Sequence, residues 1–162
     1  MNQEALAAWF ESGIVHNWMV ELYWMFPLME TFHFVGLCVL FGSLLVVDGR
    51  VLGIGKFINM NEAMKFIPLA IGAFAINLLS GFSFLTADPN AYLGNIGFQW
   101  KIGLIAVAGI NALWFWFGEH KELCQLADGA DAPFRAKVIA LLSVILWVII
   151  IVLGRLIPYT DF

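Results

Sequence analysis

Four long apolar runs divide the chain, at residues 25–47, 66–87, 96–117 and 138–157. Roughly 20 residues at 1.5 Å each match the hydrocarbon thickness of a bilayer, so each run is expected to be a membrane-spanning helix. The first opens with Pro27 in its first turn, where a missing N–H costs nothing. Asp48-Gly49-Arg50, followed by Gly53 and Gly55, is expected to end it. The second carries Pro68 near its start and Asn77, Ser80 and Gly81 inside. The third has Lys101 one turn in and Asn111 at its middle, and the fourth has Arg155 in its last turn.

Ahead of the first run, residues 3–12 place Leu6, Trp9 and Phe10 on one helical face, with Glu4 and Glu11 off it. That pattern predicts a short amphipathic helix lying at the membrane interface, broken by Gly13. Trp18, Tyr23 and Trp24 come next as an aromatic belt. Residues 158–162 read as a short tail. The expected fold is therefore all-α: an integral membrane four-helix up-down bundle with a short N-terminal interfacial helix. It forms a single transmembrane domain over 1–162, without internal repeats.

Composition changes the picture only by making lipid the necessary solvent. Of 162 residues, 62% are hydrophobic and 12% charged, against about 45–50% and about 25% in soluble domains. The first partner is thus the lipid bilayer, and a net charge of −4 leaves no footprint for nucleic acid. Cys38 lies within the first run and Cys124 in a later loop, so no disulfide framework is expected. The N-terminus lacks a basic region and a small-residue cleavage site, which leaves the first span as the expected insertion signal. Lys and Arg concentrate after span one (Arg50, Lys56, Lys65) and after span three (Lys121, Arg135, Lys137). The positive-inside rule then expects both termini on the periplasmic side of a bacterial inner membrane. The nucleophile-elbow, phosphate-loop and metalloprotease motifs are missing, so the chain is not expected to be an enzyme on its own.

The candidate chemistry lies at the outer side. Glu30 and His33 sit three residues apart in the first turns of span one, and an ionisable pair inside a membrane marks a functional site by default. Lys101 and Arg155, the two cations outside the basic loops, fall at similar depth. Met25, Met29 and His33 form an i, i+4, i+8 stripe, with His16 and Met19 upstream. Thioether and imidazole ligands suit Cu(I) or a haem iron. The expected ligands are His33, Met29 and His16, with Glu30 orienting the His33 ring through its spare N–H. Lys101 and Arg155 would neutralise an anionic group such as a haem propionate. The bland alternatives are packing for the methionines and snorkelling to the headgroups for the two cations. His120 is expected to be a solvated loop residue on the opposite side. A two-histidine haem is then hard to build within one chain unless His16 folds back; His33 paired with a methionine or with His33 of another copy are the other options, and a homo-oligomer or a subunit of a membrane complex is expected. Asp48 and Arg50 are expected to pair as ions at the end of span one. Asn77, Ser80 and Asn111 are expected to bond between helices.

Pro27, Glu30, His33, Gly36, Gly42, Asp48, Arg50 and Gly53, continued by Gly81, Tyr92, Asn95, Phe98, Lys101, Asn111 and Ala112, carry a resemblance. The chain resembles a bacterial family of small four-helix inner-membrane proteins of unassigned function. Asp-Gly-Arg stands here where that family more usually has Asp-Leu-Arg. The family is distantly similar in architecture to the copper-resistance D proteins and the four-helix b-type cytochromes. The resemblance implies the fold and a haem or copper cofactor, not a reaction. Three functions are the expectations: a redox-metal site (haem b or copper) centred on His33 in electron transfer or metal handling, a structural accessory subunit of a larger complex, or a proton-coupled carrier using Glu30 and His33.

Overall fold

A computed structural model describes residues 3–127 and 129–159; the tail expected at 158–162 lies partly outside them. Every regular element among the described residues is helical. Four stretches, Met25–Leu52, Met60–Ala87, Ile96–Leu123 and Phe134–Tyr159, are long and apolar enough to cross a membrane. The protein is a multi-pass membrane bundle.

Two short helices come first, α1 (Gln3–Glu11) and α2 (Ile14–Glu21). Helix α3 (Met25–Leu52) runs through Asp48-Gly49-Arg50 instead of ending there. An interior glycine costs a helix about 1 kcal/mol, and here Asp48, Arg50 and Val51 are all buried, so packing holds the last turn. Gly53 makes the stop, with φ at 92° in the left-handed region. The Ile54 N–H then reaches back to the Gly49 carbonyl at 2.9 Å, a Schellman closure. Helix α4 (Met60–Met64) starts on Asn59, whose side chain accepts the Asn61 N–H at 2.8 Å. It leads into α5 (Phe66–Ala87), which matches the expected second span. Helix α6 (Pro89–Leu93) has Asp88 as its cap and Pro89 at its first position.

Helix α7 (Ile96–Trp114) begins on Asn95, which accepts the Phe98 N–H at 3.0 Å. The third span does not stop at 117. It passes through a π-helical turn (Phe115–Glu119) into α8 (His120–Leu123). A π turn adds a residue to the helical repeat and so rotates the next turn of helix to a new face; here Glu119 and Leu123 are buried. His120 is accordingly not a solvated loop residue: its ring stacks on Trp116 with centroids 4.3 Å apart. Helix α9 (Phe134–Leu156) starts four residues before the expected span, directly after Pro133, and closes in a 3-10 turn (Ile157–Tyr159).

Helix α3 is the spine. It packs along α5 on one side and α9 on the other, and α7 packs on α9, whereas α5 and α7 barely meet. The bundle is therefore open between α5 and α7. Trp147 of α9 plugs the middle of that opening, packing against both the Leu40/Ala70/Ala73 cluster and the Ala108/Leu146/Ile150 cluster. Its ring meets Phe74 of α5 edge-on at 6.0 Å. Close approach of α3 and α5 depends on Gly36, where an added Cβ would lie 2.8 Å from Nδ2 of Asn77.

The two ends differ in kind. At one end α2 lies against α5 and α1 against α6, with Trp18, Tyr23 and Trp24 exposed; this is the aromatic end. The other, with α4 and α8, carries Lys56, Lys65, Lys121, Arg135 and Lys137; this is the basic end. The largest core cluster, with Val47, Val51, Met60, Leu123 and Ala136, closes the basic end.

Candidate functional site

His33 sits in the third turn of α3, half-buried, with its ring turned to α5. Its Nδ1 lies 2.8 Å from Oγ of Ser80, a residue only 2% exposed. The same Oγ lies 2.8 Å from the Ile76 carbonyl, which only accepts. One hydroxyl proton serves both contacts only if Ser80 donates to Ile76 and accepts from the Nδ1–H of His33. For the neutral ring the hydrogen-bond network thus assigns the tautomer, with the proton on Nδ1 and Nε2 unprotonated. Phe84 holds the ring from the side, edge-on at 5.4 Å. Gly81 keeps the neighbouring Cε1 uncrowded, since even an added Cβ there would lie 3.7 Å from it.

Lys101, in the second turn of α7, is half-buried, and its ammonium acts electrostatically on the His33 ring. Its side chain lies across α9 at Gly154, where an added Cβ would fall 2.9 Å from Nζ and 3.4 Å from Cε. Bare backbone at 154 is what gives the lysine this path between the helices.

The other expected members divide. Glu30 is exposed and does not orient the His33 ring; Ser80 does that. The Glu30 carboxylate instead acts electrostatically on the loop after α5, where burial first, then Asp88 and Glu30, push the Tyr92 phenol above its ordinary range. His16 is committed to α5: its Nδ1–H donates to the Thr86 carbonyl at 2.7 Å. Thr86 is six residues past Ser80, about 9 Å farther along the helix, so this bond holds α2 to the end of α5. Met29 is half-buried one turn from His33 toward the aromatic end, and Arg155 is exposed.

Asn111 bonds between helices as expected, donating from Nδ2 to the Ile139 carbonyl at 3.2 Å. Asp48 and Arg50 do not pair with each other. Residues two apart on a helix point about 200° apart, so these two reach different neighbours. Asp48 meets the Ser143 hydroxyl. Arg50, 1% exposed, donates from Nε to the Ile58 carbonyl at 2.6 Å and from Nη2 to the Ala130 carbonyl at 3.3 Å.

Ser80 is the member that sequence reasoning leaves out of the site. Depth alone marks it: His33 lies about 12 Å from the start of α3 and Ser80 about 10 Å from the end of α5, at the same end. Among the described residues no three His, Cys, Asp or Glu side chains gather as a metal site. The compartment instead offers one imidazole nitrogen, one ammonium and apolar walls. No known protein family matches the chain, nor does any curated protein or solved structure.

Proposed function

We propose that this protein is an electron-transfer component of a bacterial inner membrane that holds a haem b at its aromatic, periplasm-facing end. The observation that carries the reading is the His33 ring, bound to Ser80 through Nδ1 and left with an unprotonated Nε2 beside the Lys101 ammonium. His33 would hold a haem iron through that unprotonated nitrogen, and Lys101 would pair with a haem propionate. When bound, the haem supplies one-electron exchange. Ser80 fixes the tautomer, Phe84 fixes the ring plane, and Lys101 balances negative charge in a setting poor in water. The His16 ring, whose Nδ1–H is likewise bonded, keeps a second such nitrogen at the same end, so a second nitrogen ligand would come from His16 or from His33 of a second copy. Copper is less well served, because no three His, Cys, Asp or Glu side chains gather among the described residues. The loop cations at the basic end support the assignment of that end to the cytoplasm.

Absorption of the detergent-solubilised protein, before and after dithionite, tests the proposal. The expected result is a Soret band with an α band that sharpens on reduction, lost in His33→Ala. A protein made in haem-replete cells that shows neither a Soret band nor bound iron would overturn it.

A second reading, an accessory subunit of a larger membrane complex, draws on the open side between α5 and α7 and on the exposed Trp100, Trp114 and Phe117 of the third span. It expects partners to co-purify with His33→Ala as with the native chain, and function to be unchanged.

A further inference from the structure

Beside the His33 compartment, and sharing Phe84 with it, the aromatic end contains a cleft of about 340 Å³. Phe26, Phe84, Asp88, Tyr92, Asn95 and Pro158 are among its walls. That volume is within the range of small-ligand sites, about 300–1,000 Å³. We propose that this cleft receives an organic ammonium group of the choline type, held between aromatic faces and the carboxylate of Asp88.

The walls are built for it. Phe26 and Phe84 stand 5.4 Å apart with 51° between their planes. Tyr92 is fixed as the third aromatic wall by its edge-on contact with Phe98 at 5.5 Å. Aromatic faces carry negative potential and attract a weakly hydrated cation. Asp88 accepts the Ala91 N–H through Oδ1 at 3.1 Å. Its second oxygen has no partner among the described residues. Glu30 adds a second negative charge that acts electrostatically on the Tyr92 phenol. No Lys or Arg is among the described residues lining the cleft.

The surrounding charge agrees. Among the described residues this end carries Glu4, Glu11, Glu21, Glu30 and Asp88 against Lys101 and Arg155. A field of this sign concentrates cations and repels anions. A hard metal ion would need some six or more oxygen ligands, which phenyl rings do not supply. A neutral acyl chain would leave Asp88 without a counter-charge. A quaternary ammonium gains from both the rings and the carboxylate. It could arrive as a soluble amine or as the headgroup of a lipid, since the cleft lies at the level of the aromatic belt.

The test uses the full chain in an uncharged detergent and in nanodiscs. Choline is titrated calorimetrically, with 3,3-dimethylbutanol as its neutral isostere, and phosphatidylcholine is compared with phosphatidylglycerol for retention in nanodiscs. Saturable choline binding without binding of the isostere supports the proposal with a soluble source. Selective retention of phosphatidylcholine supports it with a lipid source. Asp88→Asn keeps the helix cap, because asparagine caps as well as aspartate, and removes the charge. Asp88→Asn and Phe26→Leu are each expected to weaken binding by about two- to fivefold, the scale of a cation–π or ionic contact at an exposed site. Failure of both choline and phosphatidylcholine to bind, equal binding of the isostere, or native affinity in both variants would overturn it. Calorimetry on haem-free protein reads choline binding by itself, so this result stands or falls apart from the haem.

Discussion

The two ends of the bundle both hold charged groups among apolar helices, and they hold them differently. At the basic end the Arg50 guanidinium is enclosed and ties three segments together: α3, the loop at Ile58 and the stretch at Ala130 before α9. Methionines, a leucine and alanines close over it. At the aromatic end His33 and Lys101 are half-buried, His33 has one side-chain hydrogen bond, and Nε2 is left over. A buried charge bonded to two backbone carbonyls of different segments is a joint, even with its Nη1 left over. A polar group with one bond and one uncommitted atom, beside a cleft, is suited to meet a ligand. Stability and function thus separate by end, and substitutions along the bundle test the separation.

The largest effect is expected at Arg50. Arg50→Leu strands the Ile58 and Ala130 carbonyls in an apolar core, and hydrogen bonds from charged donors contribute about 1.5–3 kcal/mol each. A loss of roughly 3 kcal/mol or more is expected in detergent unfolding curves. Arg50→Lys should recover little, because a single ammonium cannot reproduce a guanidinium that spans two acceptors. A near-native midpoint for Arg50→Leu would break the comparison at its root.

Next come two glycines of the same helix. Gly36→Ala places a methyl group 2.8 Å from Asn77 Nδ2 and 3.2 Å from Ile76 Cγ2, at the tightest part of the α3–α5 contact. Overpacking of this kind costs about 1–3 kcal/mol. Gly42→Ala meets nothing within 4 Å and should be neutral or slightly stabilising. Equal effects in thermal unfolding would show that the helix pair is not limited by close approach at Gly36.

Smaller again is Ser80→Ala. The Nδ1–H of His33 loses its acceptor, at a cost of about 1 kcal/mol, and the fold should survive. The ring itself changes: without Ser80 either nitrogen can carry the proton. Nitrogen-15 NMR of the histidine ring is expected to report one tautomer in the native chain and a mixture in the variant. A mixture already present in the native chain would remove the reason for assigning the site to Nε2.

Legibility in the sequence depends on whether a feature is local. The hydrophobic pattern predicts the second span to the residue, 66–87, because Lys65 and Asp88 bracket an unbroken apolar run. It ends α3 too early, because Asp-Gly-Arg is polar and glycine-bearing, yet its side chains turn inward. Nothing in Phe115–Glu119 announces a π turn, so the pattern stops the third span at 117, short of Leu123. The depth of Glu30, His33, Lys101 and Arg155 is legible from the topology; which of them converge is not. Lys101 reaches the site because residue 154, on another helix, is glycine, while Glu30 and Arg155 are exposed. The aromatic cleft is not legible at all, since its walls come from the start of α3, the end of α5, the α6 region and the end of α9.

The smallest effect belongs to the surface of the basic end. Asp131 is exposed and pairs with Lys56 at 3.0 Å and Lys137 at 3.3 Å. Hydrogen bonding from Lys56, then Lys137, holds its carboxyl below the ordinary range. A depressed carboxyl favours the charged form in the folded chain, so its contribution is complete above the unfolded-state value, about 3.9 for aspartate. It disappears as pH falls through the lower folded-state value. Asp131→Asn should therefore lower the unfolding midpoint slightly at neutral pH and low salt. The gap should narrow as salt is added, and close once both proteins are taken well below the ordinary carboxylate range. A gap that persists in acid would mean that the side chain's neutral hydrogen bonds, not its charge, pin the Ala130 stretch. The joint at Arg50 would then extend to the surface, and the contrast between the two ends would be sharper than the buried residues alone make it.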